Sequence, residues 1–132
     1  MLKDINFNRI ESIVIAVAPN GPEDDMWTVY LINQGTESLG TVMVSSRGYG
    51  EHEGIPKETA TLRWMLGDIP ANSVCIIEEI PDEVRSLNNE FLISFFMNNQ
   101  LLDKKVVFVA DSIDEQFFTD IPLIDKKGVM IR

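Results

Sequence analysis

The 132-residue chain is poor in the groups that usually carry chemistry: it has one cysteine, one histidine and 11 basic residues against 21 acidic ones. A single thiol forbids an intramolecular disulfide. A single imidazole leaves the familiar zinc sites short of ligands, and no serine or cysteine can be placed beside His52 to make it a general base. The formal charge of -10 gives the electrostatic term of nucleic-acid binding the wrong sign, so nucleic acid is excluded as an expected partner. Long hydrophobic runs are also missing. The longest, Ile13 to Ala18, falls far short of the roughly 20 residues of a membrane span, and basic residues pair only at Lys104-Lys105 and Lys126-Lys127. No membrane partner is expected. The N-terminal residues carry acidic and amide groups where a leader has its apolar stretch, which points to a reduced, cytoplasmic setting.

What is present is a foldable mixture, 45% hydrophobic and 24% charged, of a length that suits one domain over residues 1–132. Its periodicity is that of short strands. Ser12 to Ala18 is apolar and β-branched, and it stops at Pro19-Asn20-Gly21-Pro22. Met26 to Asn33 and Leu39 to Ser45 flank a Gln34–Ser38 turn and read as a hairpin. In Thr59 to Leu66, Ala60, Leu62, Trp64 and Leu66 fall on one face and Thr59, Thr61, Arg63 and Met65 on the other. Val74 to Ile80 is a further strand. Its Cys75 is expected to be packed in the core, with Glu78 and Glu79 as neighbours that disfavour a thiolate. Phe91, Ile93, Phe95 and Met97 alternate into Asn98-Asn99-Gln100 and then Lys104 to Ala110, a second hairpin, while Ile121 to Ile131 makes a small final one. Ser112 to Glu115 has the form of a capping box, so one helical turn is expected near 112–118. Seven to nine short strands without long helices predict an all-β fold, an antiparallel β-sandwich of immunoglobulin or fibronectin type.

Two stretches stand out as candidate sites. Ser45 to Gly54 gathers glycines, Arg47, Tyr49, His52 and two carboxylates, and it is read as a loop between strands. In that form Arg47 and the loop's free backbone N–H groups would cradle a carboxylate or phosphate, with Tyr49 and His52 as further candidate binding residues. Glu51 and Glu53 would point away from His52 in an extended chain, so no metal site follows, and the acidic runs lack calcium-loop spacing. The second stretch is Met26 to Asn33, apolar on both faces. Such a strand is either central and covered twice or offers Tyr30 and Ile32 to a partner, with Met65 exposed on its own strand.

The stretches VYLINQGTESLGTVMVSSRGYGE (Val29 to Glu51), LNNEFLISFFMNNQLLDKKVVF (Leu87 to Phe108) and IPLIDKKGVMIR (Ile121 to Arg132) resemble an uncharacterised family of short bacterial proteins often labelled phenylalanyl-tRNA synthetase subunit alpha. The resemblance covers most of the chain and implies no established activity. Synthetase catalysis needs ATP-clamping arginines and an RNA-binding surface, whereas no arginine here lies in such a motif and the charge is -10. What the label implies is at most an accessory domain that touches a synthetase. The sequence therefore predicts a non-enzymatic interaction module, without cofactor or catalytic residues, that meets another protein or a second copy of itself. The alternative is a ligand-binding domain using the Arg47–His52 loop.

Overall fold

The structure is a computed structural model that describes residues 10–132; residues 1–9, the segment read above for a leader, lie outside the described residues. Among the described residues, ten strands build two antiparallel sheets: β1 (Ile13–Pro19), β2 (Met26–Asn33), β3 (Leu39–His52), β4 (Ile55–Glu58), β5 (Leu62–Ile69), β6 (Ser73–Pro81), β7 (Asn88–Met97), β8 (Gln100–Phe108), β9 (Thr119–Ile121) and β10 (Lys126–Ile131). The first sheet runs β6-β2-β1-β10-β9. In the second, β4-β3-β7-β8, the long β3 also pairs with β5. The all-β expectation is met with one strand more than anticipated, because Ile55–Glu58 pairs with the end of β3.

Alternation explains the stacking. Ile13, Ile15 and Val17 of β1 and Trp27, Val29 and Leu31 of β2 share a cluster with Val42, Val44, Phe91, Ile93, Phe95 and Phe108 of the other sheet. Phe91 and Phe95 are fully enclosed, and Phe91 meets Phe108 edge to face at 6.1 Å. Each such ring contributes about 2 to 3 kcal/mol through its burial. The opposite face of the first sheet is apolar as well: Val14, Ala16, Ala18, Tyr30 and Ile32 form a second cluster with Ile121. That cluster corrects the reading of Tyr30 and Ile32 as interface residues, since both are buried on a strand that lies between β6 and β1.

Some local expectations hold as read and others are corrected in whole or in part. Asn98 and Asn99, both at positive φ, turn β7 into β8, and β9 pairs with β10. The β2–β3 hairpin does not exist, because Gln34–Ser38 carries the chain from one sheet to the other. The strand expected at Thr59 to Leu66 starts three residues later, at Leu62. Near 112–118 the turn is a 3-10 helix over Glu115–Phe117 capped by Asp114, whose carboxylate accepts from Gln116 N; the Ser112 hydroxyl donates to Val109 O instead. Cys75 is half-buried at the margin of the main core, and burial pushes its thiol pKa up.

A second 3-10 helix, Asp82–Ser86, is held at one end of the stack. Asp82 accepts from the Trp27 indole at 3.0 Å and from Arg85, whose guanidinium lies 4.4 Å from the Trp27 ring centre. On the edge strand β8, Lys104 turns inward and donates to the Ile10 and Ile13 carbonyls, an inward charge that discourages pairing of that edge with another chain.

Candidate functional site

The Arg47–His52 segment is not a loop. It is the second half of β3, hydrogen-bonded to β7 on one side and to β4 on the other, so its backbone N–H groups are engaged in the sheet and cradle nothing. The reversal lies one step further on, at Glu53-Gly54, both at positive φ, where His52 opposes Ile55. Gly48 serves close approach: the Thr59 side chain crosses it, accepting from Gly48 N at 2.7 Å.

Arg47 and Tyr49 point to the outer face of the second sheet, with the guanidinium 4.6 Å from the Tyr49 ring centre. Arg47 is already committed, at 3.1 Å to Glu90 and 3.2 Å to Glu58, and Lys105 reaches Glu90 at 3.4 Å. Hydrogen bonding from Arg47 holds the Glu90 carboxyl below the usual carboxylate range. His52 lies on the other side of the strand, exposed and 3.9 Å from Glu53. The structure thus brings Arg47 and Tyr49 together and leaves His52 out.

The same outer face carries Met65, 74% exposed as its alternation implied, paired with Met43 across β3. Leu92, Phe96 and Leu101 continue it, with Phe96 opposite Leu101 and Leu92 one row from Met43. Met43, Met65 and Leu92 line a shallow groove of about 270 Å³ with Ser45, Arg63 and Ser94.

A different site lies between the sheets, and sequence periodicity missed it. In β6, Tyr30 opposes Ile76 and Val29 opposes Glu78, so Ile77 is an extra residue, a β-bulge. Strict alternation after Cys75 and Ile77 would bring Glu79 inward. The bulge turns Glu78 inward instead, onto the face of Val29, where it meets the Ser46 hydroxyl and the Trp64 indole. The indole N–H favours the ionised carboxyl, and its nitrogen is buried without a hydrogen-bond partner. A cleft of about 210 Å³ opens beside Glu78 where the sheet edge passes from β5 to β4.

Burial raises the Glu78 pKa, against the smaller opposing effects of Ser46 and Trp64. A carboxyl whose folded-state pKa is raised stabilises the fold below its unfolded pKa, and that contribution is lost as pH rises through the folded value. Glu78→Gln is therefore expected to raise Tm at neutral pH by roughly 3 to 5 °C, about 1 kcal/mol. The gain should vanish below the ordinary glutamate range, where the wild-type carboxyl is neutral. Thermal melts across pH check this, and a uniform gain at every pH would refute the titration account.

No protein-family model matches the chain, and no curated protein matches it. Among the described residues no helix is long and apolar enough to cross a membrane, and no three His, Cys, Asp or Glu side chains gather as metal ligands.

Proposed function

We propose that the chain is a non-enzymatic interaction module of immunoglobulin or fibronectin type that docks through the outer face of its second sheet, with a second copy of itself as the occupant. The topology that supports the fold type is the strand order. In adjacency β1, β2 and β6 match the A, B and E strands of an immunoglobulin sheet and β3, β7 and β8 the C, F and G strands, which supports the reading; β5 pairs with the C-like β3, and β10 and β9 extend the first sheet beyond β1. Fold alone does not give function.

The observation that carries the docking proposal is the set of Met43, Met65, Leu92, Phe96 and Leu101, all exposed, on one face of the sheet, with Ser94 between Leu92 and Phe96. Apolar centres rich in Met and aromatic residues, ringed by polar ones, are the anatomy of protein interfaces. A second copy suits this face because its charges cancel locally. Arg47, Arg63 and Lys105 interleave with Glu58, Glu90 and Asp103, although the whole chain carries -10. Two copies meeting there set apolar rows together while their like-charged remainders stay apart.

Sedimentation equilibrium over a range of salt concentrations tests it. Dimerisation should strengthen with salt, since screening relieves repulsion between two acidic chains, and Met65→Asp should weaken it at least tenfold. A chain that stays monomeric at high concentration and high salt, or a dimer indifferent to Met65→Asp, overturns the assignment. A complex that instead forms only with a basic partner and weakens with salt also overturns it, in favour of a heterologous occupant.

A further inference from the structure

We infer that the cleft at Glu78 is a binding site for a small organic cation, an ammonium head on a short apolar chain. Four observations converge. The β6 bulge spends a ladder position to aim a carboxylate between the sheets, and such bulges recur where a strand re-aims a functional side chain. The groups acting on that carboxyl are the neutral Ser46 and Trp64, and Arg47, although it also lines the cleft, is paired with Glu58 and Glu90 on the outer face and does not act on Glu78. A desolvated carboxylate of this kind is costly until a cation meets it.

The cleft then limits what the cation can be. Its wall is mostly apolar, with Leu62, Ile80, Pro81, Val84 and Phe91 near the carboxylate, and its polar lining is Ser46, Thr59, Asn89, Glu79 and Arg47. At about 210 Å³ it lies below the usual range for drug-sized ligands. Among the described residues no three acidic, histidine or cysteine side chains gather there, which disfavours a metal ion, and the carboxylate repels anions. An alkylammonium satisfies both halves of the site, its head on Glu78 and its chain against Leu62 and Val84. The Thr59 hydroxyl, held over Gly48 at the cleft wall, leaves the entrance polar.

Such a head arrives either as a free amine or as the lysine side chain of another protein, and both are tested on the full chain. Isothermal titration and amide-shift mapping with n-butylammonium, a blocked lysine amide, 1-butanol and butyrate read the outcome. The two cations should bind, shifting the amides of Ser46, Glu78 and Thr59, and the alcohol and carboxylate should bind at least tenfold more weakly. Preference for n-butylammonium assigns a free amine, and preference for the blocked lysine assigns a protein side chain. Glu78→Gln, expected to fold at least as well as the parent, should cost the cations at least tenfold while leaving 1-butanol unchanged. Equal binding of cation and alcohol, retention of cation binding in Glu78→Gln, or no shift at those amides refutes the site. The docking proposal is untouched by that result, because Glu78 lies inside the stack and Met65 outside it.

Discussion

Gly128→Ala is expected to destabilise the chain by about 4 kcal/mol and to lower Tm by roughly 12 to 18 °C. Gly128 lies in β10 opposite Thr119, beside the Val129–Val17 pair that joins β10 to β1. A methyl group there would fall 2.3 Å from the Val17 carbonyl oxygen, 2.8 Å from Ile121 Cδ1 and 3.0 Å from Ala18 Cβ. The first of these is main chain, so no side-chain rotation relieves it. The ladder between β1 and β10 must open, at about 1 kcal/mol for each bond lost, on top of overpacking of the Ala18 and Ile121 cluster. Chemical denaturation measures the loss. An unchanged midpoint would mean that β10 does not approach β1 as closely as the structure places it. The effect is global, unlike that of Met65→Asp, which should leave the midpoint within about 0.5 kcal/mol of wild type when measured at concentrations where the chain is monomeric, as exposed positions generally do.

The contrast between those positions shows what the sequence could and could not disclose. Alternation alone put Met65 on an outer face and Trp64 toward the core, because in a strand the side-chain period is fixed by the backbone. The amide pair Asn98-Asn99 announced its hairpin through the positive φ those residues tolerate. Sheet membership was illegible: Gln34–Ser38 is as suitable for a hairpin as for the crossing it makes, and only packing decides. Gly48 and Gly50 suggested a loop because glycine usually means turn chemistry. Here Gly48 leaves room above a regular strand for the Thr59 and Leu87 side chains. The candidate binding carboxylate was hidden for a sharper reason. Period-two reasoning assigns Glu78 to the outside, and one inserted residue at Ile77 inverts that assignment. The useful sequence signal would have been Ile77 and Ile80, both buried in the structure and three residues apart, a spacing that no strict alternation allows.

Asn33→Ala is expected to cost about 3 kcal/mol, because a buried amide holds together the crossing that joins the sheets. Asn33 is fully enclosed at the end of β2. Its Nδ2 donates to Glu37 O at 2.9 Å and to Pro70 O at 3.0 Å, and its Oδ1 accepts from Gly35 N at 3.0 Å. One side chain therefore binds the β2–β3 crossing to the turn between β5 and β6. Truncation leaves these backbone groups without their partner, at about 1 to 3 kcal/mol for each one that water cannot reach. Asn33→Asp separates this account from simple loss of volume. Aspartate has nearly the same shape and can still accept from Gly35 N, but when ionised it cannot donate to the two carbonyls. Its enclosed carboxyl should titrate above the ordinary range, so its stability is greatest below the unfolded pKa and falls as pH rises through the folded one. Denaturation midpoints should thus place Asn33→Asp near or below Asn33→Ala at neutral pH and above it in acid, where the protonated carboxyl regains one donor. Two variants equally destabilised at every pH would show that the Asn33 side chain fills space and does not tie the sheets.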